Sequence, residues 1–380
     1  MIFGHWRLPW ETLKICEVNH ARHVNSCCAK ISGTMTTDYT FYADTVVTNT
    51  RLDTDNGKPL ATYPSRDTNR MLLSFRHKVC KDPRDKVFGI LGLLEKGSYP
   101  ASLPDYSLST AQVFTEAMKH ILLRADGDLR CLTGSGFSSG QPGLPSWVRD
   151  FARPIGAAAL SHEMMRYKSY MLYDAAASTK AEIHFCDPYE LHMVGGLIDK
   201  IGTVGPSLHG IEWKQVWNIF RQWFELAQVR LEEDIAEGEL DHRFWSTITG
   251  DTIREDMHIH QMAKENDLQV LREWASKLLS AYFHNREPVF EIGVREMFAA
   301  TYGRAMFSSV KGSLGLCSPE SMHGDEIWIV KGSRVPPVLR LDEAEHTYHL
   351  LGDCYLDGNM HGEAMMVIKE DHTWNEIILT

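Results

Sequence analysis

The sequence predicts an α+β protein, with an N-terminal helical region followed by a C-terminal β-barrel that carries a helical insertion. Three observations predict it. Apolar residues recur at helical spacing between residues 67 and 155. Short alternating segments bounded by turn residues fill residues 181–205 and the stretch beyond residue 303. Residues 210–300, between those two strand groups, return to the helical period. Short strands at this spacing suggest a barrel or sandwich closed so that no long edge is exposed. The economical division is an incomplete N-terminal segment over 1–66, a helical region over 67–155, and a barrel over 180–380 with its insertion at about 210–300.

The elements follow in order. An apolar turn around Leu8 to Cys16 precedes a polar, weakly periodic stretch that reads as loop. From Asp67, the spacing of Met71, Leu72, Phe75 and Val79 predicts a helix. A second helix is expected over "DPRDKVFGILGLL" (82 to 94). Asp82 can accept a first-turn N–H, Pro83 suits the first helical position, and Asp85 adds negative charge at the positive helix end. Val87, Ile90, Leu91 and Leu94 then form one face, with Gly92 near the end. Ser109 and Gln112 have capping-box spacing and lead into Val113, Phe114, Ala117, Met118, Ile121 and Leu122.

"LRCLT" (129 to 133) reads as a short extended segment, and "GSGFSSGQPGLPSWVRDF" as a loop delivering Trp147 and Phe151 as packing anchors. Residues 181–205 read as strand, turn, strand, turn, strand, with turns at Asp187–Pro188 and Gly195–Gly196. In the insertion, Trp213, Val216, Trp217, Phe220, Phe224 and Ala227 make one helical face; Leu268, Leu271, Trp274, Leu278 and Leu279 make another. Strands resume in "RAMFSSV", "SLGLC", "DEIWIVKG", "PPVLRLDE", "TYHLLGDCYLDG" and "EAMMVIKE".

Composition narrows the function classes. With 43% hydrophobic and 10% aromatic residues, the chain can bury a large core. Its 39 basic and 50 acidic side chains give a net charge of −11, which repels nucleic-acid phosphates, and no basic stripe reverses that sign. The N-terminus lacks the pattern of a secretory signal, and no run of apolar residues is long enough for a membrane span. The eight cysteines include no C-x-x-C pair, which suits reduced thiols and a cytoplasmic location, with the nucleus left open.

Candidate chemistry is sparse. "GFSSG" (136 to 140) matches G-x-S-x-G with Ser138 in the nucleophile position, but "QPGLP" follows where the elbow helix must begin. "GSGFSSG" lacks phosphate-loop spacing. "HIHQ" and the group His23, Cys27 and Cys28 lack the paired spacing of a closed zinc site. Arg84 is read as an ion-pair partner of its neighbouring carboxylates in preference to an anion anchor. Asp353, Asp357, His361 and Glu363 concentrate in "GDCYLDGNMHGEA", where turn formation explains most of the composition. Trp213, Trp217, Trp223, Trp245 and Trp274 fit core packing better than a binding face. The residues assign no catalytic, cofactor or metal role.

In their order, "DPRDKVFGILGLL", "PDYSLSTAQVF", "LPSWVRDF", "VGGLIDKIGTVG", "FWSTITGD", "GDEIWIVKGSRVPPVLR" and "YHLLGDCYLDGNMHGEA" resemble the fungal heterokaryon incompatibility (HET-domain) family. The likeness runs from about residue 4 to 368. It implies a protein related to non-self recognition and programmed cell death after hyphal fusion, with a C-terminal β-barrel module. The motif residues Asp82, Pro83, Arg84, Asp85, Trp147, Gly324, Asp325, Gly352, Tyr355, Gly358, Gly362 and Glu363 are expected to be structural. The family's N-terminal α/β domain, marked by SYxWG-like and W-x-D-x-x-C-I-N-Q-like segments, has no match, so the chain reads as the part that follows it. The resemblance implies a non-catalytic recognition or regulatory region without a cofactor. Its partner would be a protein: a HET-type domain in cis or trans, or another incompatibility factor. The alternatives are a hydrolase-like enzyme with its pocket near Ser138 or at the barrel mouth, and an inactive remnant.

Overall fold

The computed structural model describes residues 2–3, 6–7, 68–94, 97–137, 142–186, 189–210, 212–228, 242–256, 259–262, 277, 280–284, 286, 292–370 and 374–380. Ile2–Phe3 (β1) and Trp6–Arg7 (β2) pair as a minimal antiparallel ladder. The expected helix around Leu8 to Cys16, Ser138, and the face formed by Leu268, Leu271, Trp274, Leu278 and Leu279 lie outside the described residues.

Helix α1 (Thr68–Phe75) buries Met71, Leu72 and Leu73. It stops before Val79, which is 99% exposed rather than part of the apolar face. Lys86 explains the stop: its ammonium donates to the carbonyls of Arg76 (2.6 Å) and Lys78, satisfying acceptors a longer helix would have used. The expected helix over 82–94 is broken into one turn, α2 (Asp85–Phe88), and a 3₁₀ turn at Leu91–Leu93. Gly89 and Gly92 weaken a continuous helix by about 1 kcal/mol each relative to Ala, and the tighter path still buries Ile90, Leu91 and Leu94. Helix α3 (Thr110–Arg124) begins with the full capping box: Gln112 N–H donates to Ser109 Oγ (3.2 Å) and Ser109 N–H to Gln112 Oε1 (2.8 Å).

"LRCLT" is a 3₁₀ turn at Arg130–Leu132, not an extended segment. Asp128 Oδ1 accepts from Arg130 N–H (2.9 Å), a local turn bond that competes with strand pairing. Helix α4 (Ala157–Ser169), absent from the sequence reading, follows where small residues mask the period.

The sheet begins with β3 (Ile183–Phe185) and β4 (Leu191–Ser207). Gly195–Gly196 is not a turn, because β4 runs straight through it. A Cβ at Gly195 would lie 2.7 Å from Ile377 and 2.9 Å from the Ile329 carbonyl, so these glycines admit close neighbours. Strand β4 therefore changes partners along its length. It pairs with β3 over Leu191–Met193, then with β9 (Glu326–Val330), then with β7 (Ala305–Ser309).

The insertion opens with α5 (Trp213–Ala227), whose expected face is buried except for half-buried Trp213, and continues with α6 (His242–Thr249). A hairpin of β5 (Thr252–Asp256) and β6 (Ile259–Met262) interrupts the helical block before α7 (Ile292–Thr301). The remaining strands are β8 (Leu314–Cys317), β10 (Pro337–Asp342), β11 (Thr347–Asp353), β12 (Tyr355–Leu356) and β13 (Asn375–Leu379). "EAMMVIKE" is helix α8 (Ala364–Glu370), not a strand, because Ala364, Met365 and Ile368 form one buried helical face against Ile329.

A ring closes in the order β4, β13, β11, β10, β9 and back to β4. Its closing partner β13 pairs antiparallel with β4 and parallel with β11 through Tyr348 and Leu379. Ile201, Phe307, Ile327, Val338, Leu351 and Cys354 share one buried cluster inside the β region. On another face, Leu191, Trp328, Leu339, Leu350 and Leu379 share a core with α1, α3 and Trp147, so the helical region and the barrel are packed into one apolar layer.

Candidate functional site

The segment Thr133–Phe137 threads between the helical region and the barrel and touches buried charge on both sides. On the helical side, Glu163 of α4 sits among Leu160, Met164 and Tyr167, on the apolar face of its helix. Its Oε1 accepts from Arg76 Nη1 (3.1 Å), Arg149 Nη1 (3.2 Å) and Ser135 N–H (3.2 Å), and its Oε2 accepts from Ser135 Oγ (2.5 Å). Arg76 also donates to the Ser135 carbonyl (3.2 Å), and Arg149 to the Ser135 and Thr133 carbonyls. The Arg149 guanidinium lies 4.5 Å from the Phe137 ring centroid.

On the barrel side, Asp353 at the end of β11 accepts from Gly134 N–H (2.7 Å) and Tyr170 OH (2.6 Å), and forms an ion pair with Arg304 just before β7. Arg166 reaches the carbonyls of Ala299 (2.9 Å) and Tyr302 (3.2 Å) close by. Two adjacent residues, Gly134 and Ser135, thus bond to the two carboxylates that hold the halves of the molecule. Gly134 and Gly136 have φ of +89° and +97°. A Cβ at Gly134 would lie 2.7 Å from Glu163 Oε1, and one at Gly136 2.8 Å from Arg76 Nη2. Glycine is required at both by conformation and by space.

Burial by itself raises the Glu163 carboxyl, but the attraction of Arg76 and Arg149, with the Ser135 bond, outweighs it and holds the group below the usual range. Asp353 follows the same pattern with Arg304 and Arg166 as the dominant attractions. Burial, then the neighbouring Arg76 charge, lowers Arg149 to about 10, so it stays charged at neutral pH. Burial raises the Tyr170 and Tyr173 hydroxyls, which remain neutral donors.

A cavity lined by Tyr170, Tyr173, Arg304 and Tyr355 adjoins the Asp353 cluster and measures about 20 Å³. That volume holds roughly one water, whereas small-molecule sites run to several hundred Å³. What this arrangement does chemically is bind charge to charge across an internal junction.

The motif residues are dispersed along the fold. Asp82 holds Arg84 through Nε (3.0 Å) and Nη2 (2.7 Å), and Arg84 donates onward to the carbonyls of Tyr106 (2.6 Å) and Leu108 (2.9 Å). Pro83 lies between them, and Asp85 accepts from the Tyr106 hydroxyl (2.6 Å). Trp147 is fully buried and donates through Nε1 to the Tyr189 carbonyl (2.9 Å). Gly324 turns at φ +91° into buried Asp325, which receives both Arg340 Nε and Nη2 at 2.8 Å. Gly352 packs near the Gly134 carbonyl; Gly358 and Gly362 are positive-φ turns; Tyr355 is buried; Glu363 accepts from His361 N–H (2.7 Å). Asp357, His361 and Glu363 do not join Asp353 in a metal-ligating group.

The sequence reading did not select Arg76, Arg149, Glu163 or Arg304. The signal for Glu163 was available: a carboxylate at position i+3 from Leu160 and i−4 from Tyr167 lies on the buried stripe of its helix.

The fold and this junction define a closed β-barrel module joined to a helical region through buried arginine–carboxylate clusters. Residues 247–373 match the family described as the Het-6 beta-barrel domain. The chain is also similar to "Heterokaryon incompatibility protein 6, OR allele" of Neurospora crassa, with 23% identity over 342 residues covering 74% of this chain and 48% of that protein. The chain thus spans about half the length of the relative it matches. Both likenesses point toward the fungal heterokaryon incompatibility proteins as its relatives. No solved structure matches it. Two ring strands, β4 and β13, lie outside the matched residues, so the module that closes is longer than the family match.

Proposed function

We propose that this chain is the recognition or regulatory region of a heterokaryon incompatibility-type protein, acts without catalysis, and works through a protein partner in the cytoplasm. The carrying observation is the junction at Gly134–Ser135. Its buried carboxylates are committed to arginines and to backbone, which suits a rigid platform better than an acid or base poised for turnover. Among the described residues no helix is long and apolar enough to cross a membrane. The partner is a HET-type α/β domain, in cis or in trans, whose death-inducing output this region restrains or triggers.

The test is expression of the chain in a fungal host with and without a HET-type domain, scored for growth arrest after fusion with a compatible and an incompatible strain. An allele-dependent change in cell death supports the reading. Equal outcomes in all pairings, with the chain folded and abundant, overturn it.

A further inference from the structure

We infer that His184, Cys186 and His192 form a divalent-metal site suited to Zn²⁺ on the β3–β4 hairpin. The three residues share a face for a simple reason. His184 and Cys186 are two apart along an extended segment, and His192 is the cross-strand partner of His184. One ligand atom from each lies within 4.8 Å of the others. The imidazoles of His184 and His192 are stacked with centroids 4.5 Å apart.

A second observation singles this group out. His192 is only 7% exposed, yet its Nε2 makes no hydrogen bond. Its Nδ1 lies 3.1 Å from Glu376 Oε1 on β13. An Nδ1–H donated to that carboxylate fixes the tautomer with the lone pair on Nε2, the arrangement by which carboxylates orient metal-binding histidines. Glu190 Oε2 stands 3.6 Å from the same Nε2 but lies outside the three-residue group, so water would supply the fourth ligand.

Two imidazoles and a thiolate favour a borderline-soft ion over Ca²⁺ or Mg²⁺. Tetrahedral zinc with bonds of about 2.0 to 2.3 Å requires ligand atoms roughly 3.3 to 3.6 Å apart. His184 and Cys186 are exposed and supply the needed movement, while buried His192 anchors the site. The spacing H-x-C-x₅-H has no C-x-x-C signature, so only the strand register gathers it. The ion would staple the hairpin whose Tyr189 carbonyl receives Trp147, and through Glu376 it would engage the closing strand β13.

The experiment strips the full chain with a chelator and titrates it with Co²⁺, then with Zn²⁺ as competitor. The expected result is stoichiometric binding with a thiolate-to-cobalt absorption band, a raised melting temperature, and slowed alkylation of Cys186. Cys186→Ser removes the band, and Glu376→Gln, which keeps the ligands, weakens binding about 10- to 100-fold. Cys80→Ser leaves all three readouts unchanged. Binding at micromolar Co²⁺ that Cys186→Ser does not alter, or no binding, overturns the site.

Discussion

Arg76 places its guanidinium 3.1 Å from Glu163 Oε1, with side chains 1% and 6% exposed, and Arg149 reaches the same oxygen. Two guanidiniums against one carboxylate leave a surplus positive charge in the interior. The Ser135 and Thr133 carbonyls absorb it by accepting hydrogen bonds. Removing the carboxylate leaves two buried cations with only dipoles around them.

Glu163→Gln is therefore expected to cost about 3–5 kcal/mol, the penalty for breaking a buried ion pair from one side. Urea unfolding of the two proteins measures it. A loss under about 1 kcal/mol would mean that the carbonyls alone suffice. Because the Glu163 and Asp353 values are held below the unfolded carboxylate range, their stabilisation is complete above about pH 4 to 4.5 and falls as pH drops toward the lowered folded values. The wild-type urea midpoint should fall in that acid window, and more steeply than that of Glu163→Gln.

The glycines of the junction make a sharper test, because they carry no charge. Gly136→Ala introduces a Cβ at φ +97° and 2.8 Å from Arg76 Nη2. The conformational part alone costs about 1 kcal/mol, and displacement of the guanidinium adds to it. Gly143→Ala is the control, with φ +73° but its nearest neighbour 4.0 Å away. The melting temperature should drop further for Gly136→Ala; equal drops would mean that the contact with Arg76 carries no energy.

Much of the fold was legible where one local rule had no competitor. Ser109 and Gln112 announced α3, and the apolar stripe of α5 is buried from Val216 onward. Legibility failed where tertiary contacts overrode a local sign. Gly195–Gly196 resembles a turn, but the pair serves the approach of Ile377 and Ile368. "EAMMVIKE" shows β-prone residues, yet its buried face has helical period. The closing strand β13 is only five residues long, and its role depends on pairing with two strands distant in sequence. The junction was hidden because charged residues ordinarily mark surface, and only their position on an apolar stripe marks them as buried.

Trp147 links the helical region to the β3–β4 hairpin by one hydrogen bond to Tyr189 and by packing on Phe185, with ring centroids 5.5 Å apart. Trp147→Phe keeps an aromatic ring and loses the donor to the Tyr189 carbonyl. The expected cost is about 1–2 kcal/mol, from the lost bond and the smaller ring. Amide hydrogen exchange should quicken across 183–193 before it changes in α3; uniform quickening would place the tryptophan's contribution in the global core.

His162 gives the last prediction, in a pH window separate from the carboxylates. Its ring stacks on Tyr302 at 4.8 Å, and burial, then the adjacent Arg166 charge, lowers its value to about 4. In the unfolded chain the imidazole titrates near pH 6.5. Between those values the unfolded state binds a proton that the folded state refuses, so stability falls as pH falls from about 6.5 toward 4. The loss is on the order of 1 kcal/mol per pH unit. His162→Phe keeps the stack and cannot titrate, so its urea midpoint should be nearly flat across this window while the wild type declines. Parallel slopes would show that His162 accepts its proton in the folded protein, and that the decline comes from another group.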